Sequence, residues 1–385
     1  MMNGGALISN LHISLTNFKN EGRVLKETRS IISHGIAEKV FIAALHEEDL
    51  QEHESISNKI NLKRFHLASR YLPKNFFWQA IKYIEFLIRV WWYYKKKSIK
   101  MINVHSLGLL PLGVFLKYCY GAKLIYDTHE LETEINGLNG FRKKLAKLTE
   151  KSLIRFVDQT FVVSQSIADE YSRMYQGINP VVILNCPYYT PPIKSNLFRE
   201  HFGISQDVVI FLYQGGLSKG RGICSILEAF KTMQDPRKVI VFMGYGPLEK
   251  EIKEASSKYS NIYFYPAVPV DEVLKYTSAA DVGIHFIKNT CLNHYYCMPN
   301  KLFEYIGGGL PVIVSNVYEM ASFVNKYKVG VVARDDTPQA LLEAIDEIYK
   351  TDLTVLKRNT LEVARKFCWE VQEKGMISAY QKLFS

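Results

Sequence analysis

The chain has 385 residues, of which 48% are hydrophobic and 22% charged. That composition supports packed domains and leaves no long stretch reading as disordered. The length predicts two domains of fewer than about 200 residues each, and no apolar run approaches the roughly 18 residues a membrane-spanning helix needs. The formal net charge of +10 is uneven, and the six cysteines include no CxxC pair, which argues for free thiols in a reducing compartment and against a zinc site.

The N-terminal MMNGGALISNLHIS lacks a basic segment followed by an apolar core, so it is not read as a secretory signal and a cytoplasmic chain is expected. Apolar, β-branched runs then recur at 38–44, 101–105, 123–127, 159–163 and 180–184. A second series follows at 207–213, 238–243, 261–265, 281–286, 311–315 and 329–333. Helical patterns stand between or after them, for example at 142–156, 222–234, 337–350 and 369–384. This alternation predicts an α/β chain with parallel sheets covered by helices on both faces. The segment 187–196, PYYTPPIKSN, contains three prolines and separates the two series as a semi-rigid linker. The expected domains are 1–190, joined by a C-terminal helix 368–385, and 191–367.

Between Lys63 and Lys100 ten basic residues stand against one acid, Glu85, and a second basic cluster runs from Arg142 to Arg155. Such charge suits anionic lipid, a phosphorylated substrate or nucleic acid. No nucleic-acid-binding module accompanies it, so nucleic acid is not expected. Within this stretch, 76–94 reads as a helix whose polar residues Gln79, Lys82, Glu85 and Arg89 fall on one narrow stripe. Two readings fit it: a helix packed on its own sheet, or one that also touches a membrane surface through its aromatics and the following lysines.

Four segments place chemistry-bearing residues at strand ends. LIYDTHE (124–130) ends a strand in Asp127, Thr128, His129 and Glu130. YQGGLSKGRG (213–222) follows another with Gly215, Gly216, Lys219 and Arg221. VIVFMGYGP (239–247) brings Gly244 into a turn. In YCMPNKLFEYIGGGLPVI (296–313), Asn300 is the expected cap of a helix beginning at Lys301, with Leu302 and Glu304 in its first turns. The amides of a helix start suit a diphosphate, and Glu304, one turn in, suits a ribose diol. Each segment alone also fits an ordinary strand–helix connection, His129 a structural histidine, and Glu304 a surface residue.

In order and spacing, these segments together with FVVSQSI (161–167), VILNCP (182–187), AADVGIHF (279–286) and FCWE (367–370) resemble glycosyltransferase family 4, the retaining enzymes of the GT-B fold. The resemblance covers most of the chain, and the MPNKLFEY variant resembles members that assemble bacterial surface polysaccharides. It implies two Rossmann-like domains facing each other across a cleft, with the C-terminal helix crossing back to the N-terminal domain. It implies a nucleoside diphosphate sugar, a UDP-sugar favoured, as co-substrate with no further cofactor and no metal.

By resemblance, Glu304 matches the second acid of a Glu-x7-Glu motif that holds the ribose. Arg221 matches a basic contact of the diphosphate, Gly244 the loop beside the base, and His129 the histidine near the donor sugar's reacting carbon. Gly215, Gly216, Lys219, Asn300, Lys301 and Leu302 complete the expected donor site. Two positions depart from the family pattern: Tyr296 stands where the first acid would fall, and Gly216 where a second basic residue would, with Lys219 or Lys301 as substitutes. The acceptor is expected on the N-terminal domain, as a glycan or a lipid-pyrophosphate-linked sugar, with Arg23 of the loop 16–23 either meeting its phosphate or sitting at the surface at a helix start. The basic, aromatic stretch 63–100 would then rest on the inner membrane face. A nucleotide-sugar epimerase of the same fold and a non-catalytic partner subunit are the rival readings.

Overall fold

The structure, a computed structural model, describes residues 8–19 and 21–384; residues 1–7 of the N-terminal stretch and Asn20 of the loop 16–23 lie outside them. The described chain divides into two compact units. Residues up to Ile183, together with those from Glu373 onward, form unit 1, and Leu184–Gln372 form unit 2. The final helix, Trp369–Lys382, therefore contributes residues to both.

Unit 1 is built on an eight-stranded sheet: β1 (Ser9–Ile13), β2 (Lys39–Leu45), β3 (His53–Ser55), β4 (Ile60–Phe65), β5 (Ile99–Val104), β6 (Lys123–Asp127), β7 (Gln159–Val162) and β8 (Val181–Val182). Their spatial order is β3-β4-β2-β1-β5-β6-β7-β8, and all pair in parallel except β3, which runs antiparallel to β4 at one edge. Strand β4 was not legible as an apolar run because Lys63 and Arg64 interrupt it. Both are buried, and they pair with Glu52 and Glu54 on or just before β3. The order in which strands are added reverses between β1 and β5, so the carboxyl ends of those parallel strands open a crevice at the switch point, the usual ligand position in such sheets.

Unit 2 carries β9 (Val209–Gly216), β10 (Lys238–Tyr245), β11 (Ile262–Pro266), β12 (Val282–His285), β13 (Val312–Val314) and β14 (Gly330–Val332). The order β11-β10-β9-β12-β13-β14, all parallel, is that of a doubly wound dinucleotide-binding sheet. Period-two alternation puts Ile210 and Leu212 in one core with Leu302, Phe303 and Ile306. It puts Phe211 and Tyr213 in the other with Ile226, Phe230 and Ile345. Both faces are covered, as unbroken apolar strands require, and the switch point falls between β9 and β12.

The helix Phe76–Tyr94 is capped by the Asn75 side chain on the Trp78 amide at 3.1 Å. It buries Phe86, Val90 and Tyr94 within unit 1. Its polar stripe does not simply face water. Glu85 accepts from the amides of Ala68 and Ser69, both at 2.8 Å, and Lys82 donates to the Leu72 carbonyl at 2.7 Å. Beside the exposed Gln79 and Arg89 it also leaves apolar groups exposed: Phe77, Ile84, Ile88 and Trp92, spaced seven, four and four residues along one face. Among the described residues, no helix is long and apolar enough to cross a membrane.

Candidate functional site

Polar residues collect at the carboxyl ends of the central strands of each unit, and the two collections differ in charge balance. In unit 1, His12 near the end of β1, His105 just past β5 and Asp127 closing β6 form one buried chain. His12 Nδ1 lies 2.9 Å from His105 Nε2, and His105 Nδ1 lies 3.0 Å from Asp127 Oδ2. His129 extends the chain, with Nε2 at 2.9 Å from the same carboxylate oxygen, and keeps about a third of its side chain exposed. Arg23 completes it from the helix Gly22–Ser33. Its guanidinium donates to both carboxylate oxygens of Asp127 at 2.7 and 3.1 Å, donates to the Ile183 carbonyl at 2.8 Å, and pairs with Glu27 at 2.9 Å.

The reading of Arg23 as a phosphate contact or a surface residue is corrected here: the side chain is 4% exposed and its donors are committed within unit 1. Burial works against charge on Asp127, but Arg23, His129 and His105 hold its carboxyl well below the usual range. Glu27 shares the same guanidinium and loses the competition. Burial, and then the Asp127 charge, push its carboxyl well up. Burial likewise keeps His12 and His105 neutral-leaning, with lowered imidazole values. His12, Glu27 and His105, or His105, Asp127 and His129, bring ligand atoms within 4.8 Å of one another. A metal ion there would face the Arg23 guanidinium that already balances the carboxylates, so the donor set does not favour one.

In unit 2 the cluster gathers around the end of β9. Gly215, with φ of +102°, leaves the strand end open, and a Cβ there would lie 2.9 Å from Lys301 Cε. The missing side chain clears the path by which Lys301, rising from the helix Asn300–Gly307 on one face of the sheet, reaches Tyr213, whose ring packs on the other. Lys301 Nζ donates to Tyr213 Oη at 2.8 Å and sits 4.0 Å from the ring centroid, while Tyr213 Oη donates to the Gly216 carbonyl at 3.1 Å. Gly222 starts the helix Ile223–Thr232 with φ of +71°, and any Cβ would lie 1.5 Å from the Phe286 carbonyl oxygen, so the loop carrying Lys219 and Arg221 is pinned against the end of β12. Both of those cations are exposed, and among the described residues neither has an ion pair or hydrogen bond. Gly244 of β10 pairs in register with Gly215.

Glu304 is fixed by a chain of side-chain bonds. The Gln214 amide donates to its Oε2 at 2.7 Å, and Gln214 Oε1 accepts from Thr277 Oγ1 at 2.8 Å. The Gln214 backbone amide donates to Tyr305 Oη at 3.1 Å, which in turn donates to the Ile284 carbonyl at 3.1 Å. The helix begins one residue earlier than expected. Pro299 holds the cap position with extended backbone, Asn300 is the first helical residue, and no side chain caps the turn. The Leu302 side chain lies in the core, and its amide donates to the Pro299 carbonyl at 3.1 Å. The amides of Asn300 and Lys301 have no acceptor within the helix.

Sequence reasoning missed His285, the last residue of β12. It is 3% exposed, and neither ring nitrogen has a hydrogen-bond partner among the described residues. A histidine closing an otherwise apolar buried strand, AADVGIHF, was the available signal. Burial, then Lys301 and Arg221, push its imidazole well below the ordinary value. Gly215, Gly216, Lys219, Arg221, Gly244, Asn300, Lys301, Leu302 and Glu304 all belong to unit 2, and His129 to unit 1.

Two Rossmann-like units, each with polar residues at its switch point, define the GT-B fold. Solved structures agree over the whole chain. Sucrose-phosphate synthase from Thermosynechococcus elongatus superposes with a TM-score of 0.81 at 18% identity, covering 98% of this chain and 99% of that one. Anabaena HepE in complex with UDP and glucose gives 0.74 at 14%, covering 98% and 100%. At these identities the likeness is one of fold.

Residues 194–366 match the family described as glycosyl transferases group 1. The putative teichuronic acid biosynthesis glycosyltransferase TuaC of Bacillus subtilis is 26% identical over 160 residues, 40% of this chain. That matched stretch spans 38% of TuaC's length.

Proposed function

We propose that this chain is a glycosyltransferase that moves a sugar from a nucleoside diphosphate sugar, a UDP-sugar first among them, to a glycan or lipid-pyrophosphate-linked acceptor. The observation that carries this reading is the unit 2 switch point. There Lys301, Arg221 and the free amides of Asn300 and Lys301 gather with no carboxylate in an ion pair among the described residues, while Glu304 is held one turn away. A diphosphate supplies the missing negative charge, and a ribose diol suits the glutamate. Departure of the diphosphate from the sugar builds charge on its oxygens, and fixed donors already aimed there stabilise that charge without reorganising.

The configuration at the sugar carbon is retained. The bond from that carbon to the diphosphate oxygen breaks, the acceptor oxygen attacks from the same face, and its proton passes to the departing phosphate. No metal is required where cations and amides meet the diphosphate. His129, oriented by Asp127, has the role of orienting the sugar in this reading, not that of a nucleophile.

The acceptor reading draws on unit 1. The exposed stripe Phe77, Ile84, Ile88 and Trp92 is followed by the exposed lysines 95–97, and Lys95 Nζ lies 3.0 Å from the Trp92 ring centroid. Next to it, Trp91 meets Phe115 at 6.3 Å. Farther along the chain, Phe141, Leu145 and Leu148 are exposed on a helix that also carries Arg142, Lys144 and Lys151. Apolar groups at headgroup depth ringed by bases fit an anionic cytoplasmic membrane face, where lipid-linked acceptors reside.

The test is Arg221→Ala assayed with saturating UDP-sugar. Turnover should fall by about 100- to 1000-fold with the fold intact. Wild-type turnover would remove Arg221 from the site. Nucleotide binding by the wild-type chain without transfer or hydrolysis would favour a non-catalytic subunit.

A further inference from the structure

Buried cations are ordinarily paired with an anion, and Lys301 is not. It is 8% exposed, and among the described residues its Nζ has one hydrogen-bond partner, Tyr213 Oη, and no carboxylate within ion-pair distance. The groups facing it come from every neighbouring element. Tyr213 comes from β9, Arg221 from the loop after it, Glu304 from its own helix, and His285 from the end of β12, with His294 of the helix Leu292–Tyr295 behind that histidine. Glu304 alone among these is acidic, and the Gln214 amide already occupies one of its oxygens. The surroundings therefore resist a positive charge on Nζ until a ligand brings a negative one.

We propose that Lys301 is a proton-coupled contact of the donor diphosphate: its amine stands largely uncharged in the ligand-free protein above neutral pH, and diphosphate binding and uptake of one proton from solvent onto Nζ occur together. This rests on the reading of unit 2 as the nucleoside diphosphate site. The balance is simple: one N–H bond forms at Nζ, buffer supplies the proton, and no other bond changes. Burial first, and then the Arg221 guanidinium, push the Lys301 ammonium down to about 7, with Glu304 opposing. Arg221 stays charged throughout and supplies the permanent part of the clamp. Lys301 supplies the conditional part, which costs little while buried and neutral and becomes a charge-assisted donor when phosphate oxygens arrive.

UDP-glucose is the probe, because its diphosphate has no titration near neutrality. Isothermal calorimetry in buffers of different ionisation enthalpy counts the protons taken up. Uptake of about 0.1 proton is expected near pH 6, about 0.5 near pH 7 and about 0.9 near pH 8, from a free-state value of about 7. Affinity should fall toward tenfold per unit as pH rises above about 7. Lys301→Arg should bind with no uptake, because guanidinium does not deprotonate in this range. Binding without uptake in the wild type, or unchanged uptake in Lys301→Arg, overturns the proposal, the latter passing the proton to another group such as His285.

A second measurement separates this failure from failure of the donor-site reading. In the ligand-free protein carrying ¹³Cε-labelled lysine, one resonance should titrate near about 7 and be lost in Lys301→Arg. If every lysine titrates near its ordinary value of about 10.4, the proposal falls whatever the nucleotide does. If that resonance is present but UDP-glucose does not bind, the donor-site reading falls instead.

Discussion

Replacing Arg23 by methionine keeps the length of the side chain and removes its charge. The structure sets the consequence. Asp127 is fully buried and would lose two hydrogen bonds, the Ile183 carbonyl would lose its donor, and Glu27 would lose its contact with the guanidinium. Breaking a buried ion pair from one side leaves an uncompensated charge, at a cost of about 3–5 kcal/mol. Against a total stability of about 5–15 kcal/mol that is a large fraction.

Urea unfolding followed by tryptophan fluorescence reports on it directly, since Trp78, Trp91 and Trp92 lie in unit 1 and only Trp369 in unit 2. The loss should be confined to the unit 1 transition, and Asp127→Asn in the Arg23→Met background should recover much of it, because the orphaned charge is then gone. The pH dependence has a definite sign. In the wild type the folded Asp127 value lies below the ordinary 3.8, so its contribution is present above that pH and is lost on acidification. Without Arg23 the folded value rises, so the variant's deficit should shrink as pH falls toward about 4. An Arg23→Met chain within about 1 kcal/mol of wild type, but with a raised KM for acceptor, would refute this reasoning and return Arg23 to ligand binding.

The remaining predictions concern function. Glu304→Ala should weaken UDP binding by about 10- to 100-fold through loss of charge-assisted bonds to the ribose, and unchanged calorimetric affinity would end the ribose assignment. Changing Lys95, Lys96 and Lys97 together to glutamine should reduce sedimentation with phosphatidylglycerol vesicles by about 100-fold, at about 1 kcal/mol per lysine near an anionic surface. A chain that never binds such vesicles would argue against the membrane reading.

What the sequence disclosed was whatever depends on local pattern. Strand–helix alternation, the proline break and the glycine-rich strand ends are properties of short windows, and each lies close to where the structure has the corresponding element. Strand β4 was hidden because its charged residues are paired with a neighbouring hairpin rather than exposed. Arg23 was misread for a similar reason: its partner Asp127 is 104 residues away, and nothing near Arg23 announces the pairing. His285 carries no local signal beyond being polar at the end of a buried strand. The one-residue displacement of the helix start reflects competition between two plausible caps, in which the fixed φ of Pro299 prevailed over the side chain of Asn300.

The same contrast separates the two polar centres in kind. In unit 1 each buried charge is answered within the unit: Arg23 answers Asp127, two histidines hydrogen-bond the same carboxylate, and burial beside Asp127 pushes the Glu27 carboxyl up. Such a centre gains nothing electrostatically from an added ion, and its one partly exposed member, His129, is held in orientation by Asp127. In unit 2 the accounting is left open: among the described residues there is a buried amine without a carboxylate at ion-pair distance, a buried imidazole without a hydrogen bond, and an exposed guanidinium without a partner. Unsatisfied buried groups lower stability and are retained where a ligand completes them. A dianionic diphosphate would answer the amine and the guanidinium with charge and offer an oxygen to the imidazole, whereas a neutral sugar would answer no charge and a second cation none of the three. On this asymmetry we propose the β9–β12 switch point as the place of an anionic ligand, with orientation as the narrower task of His129.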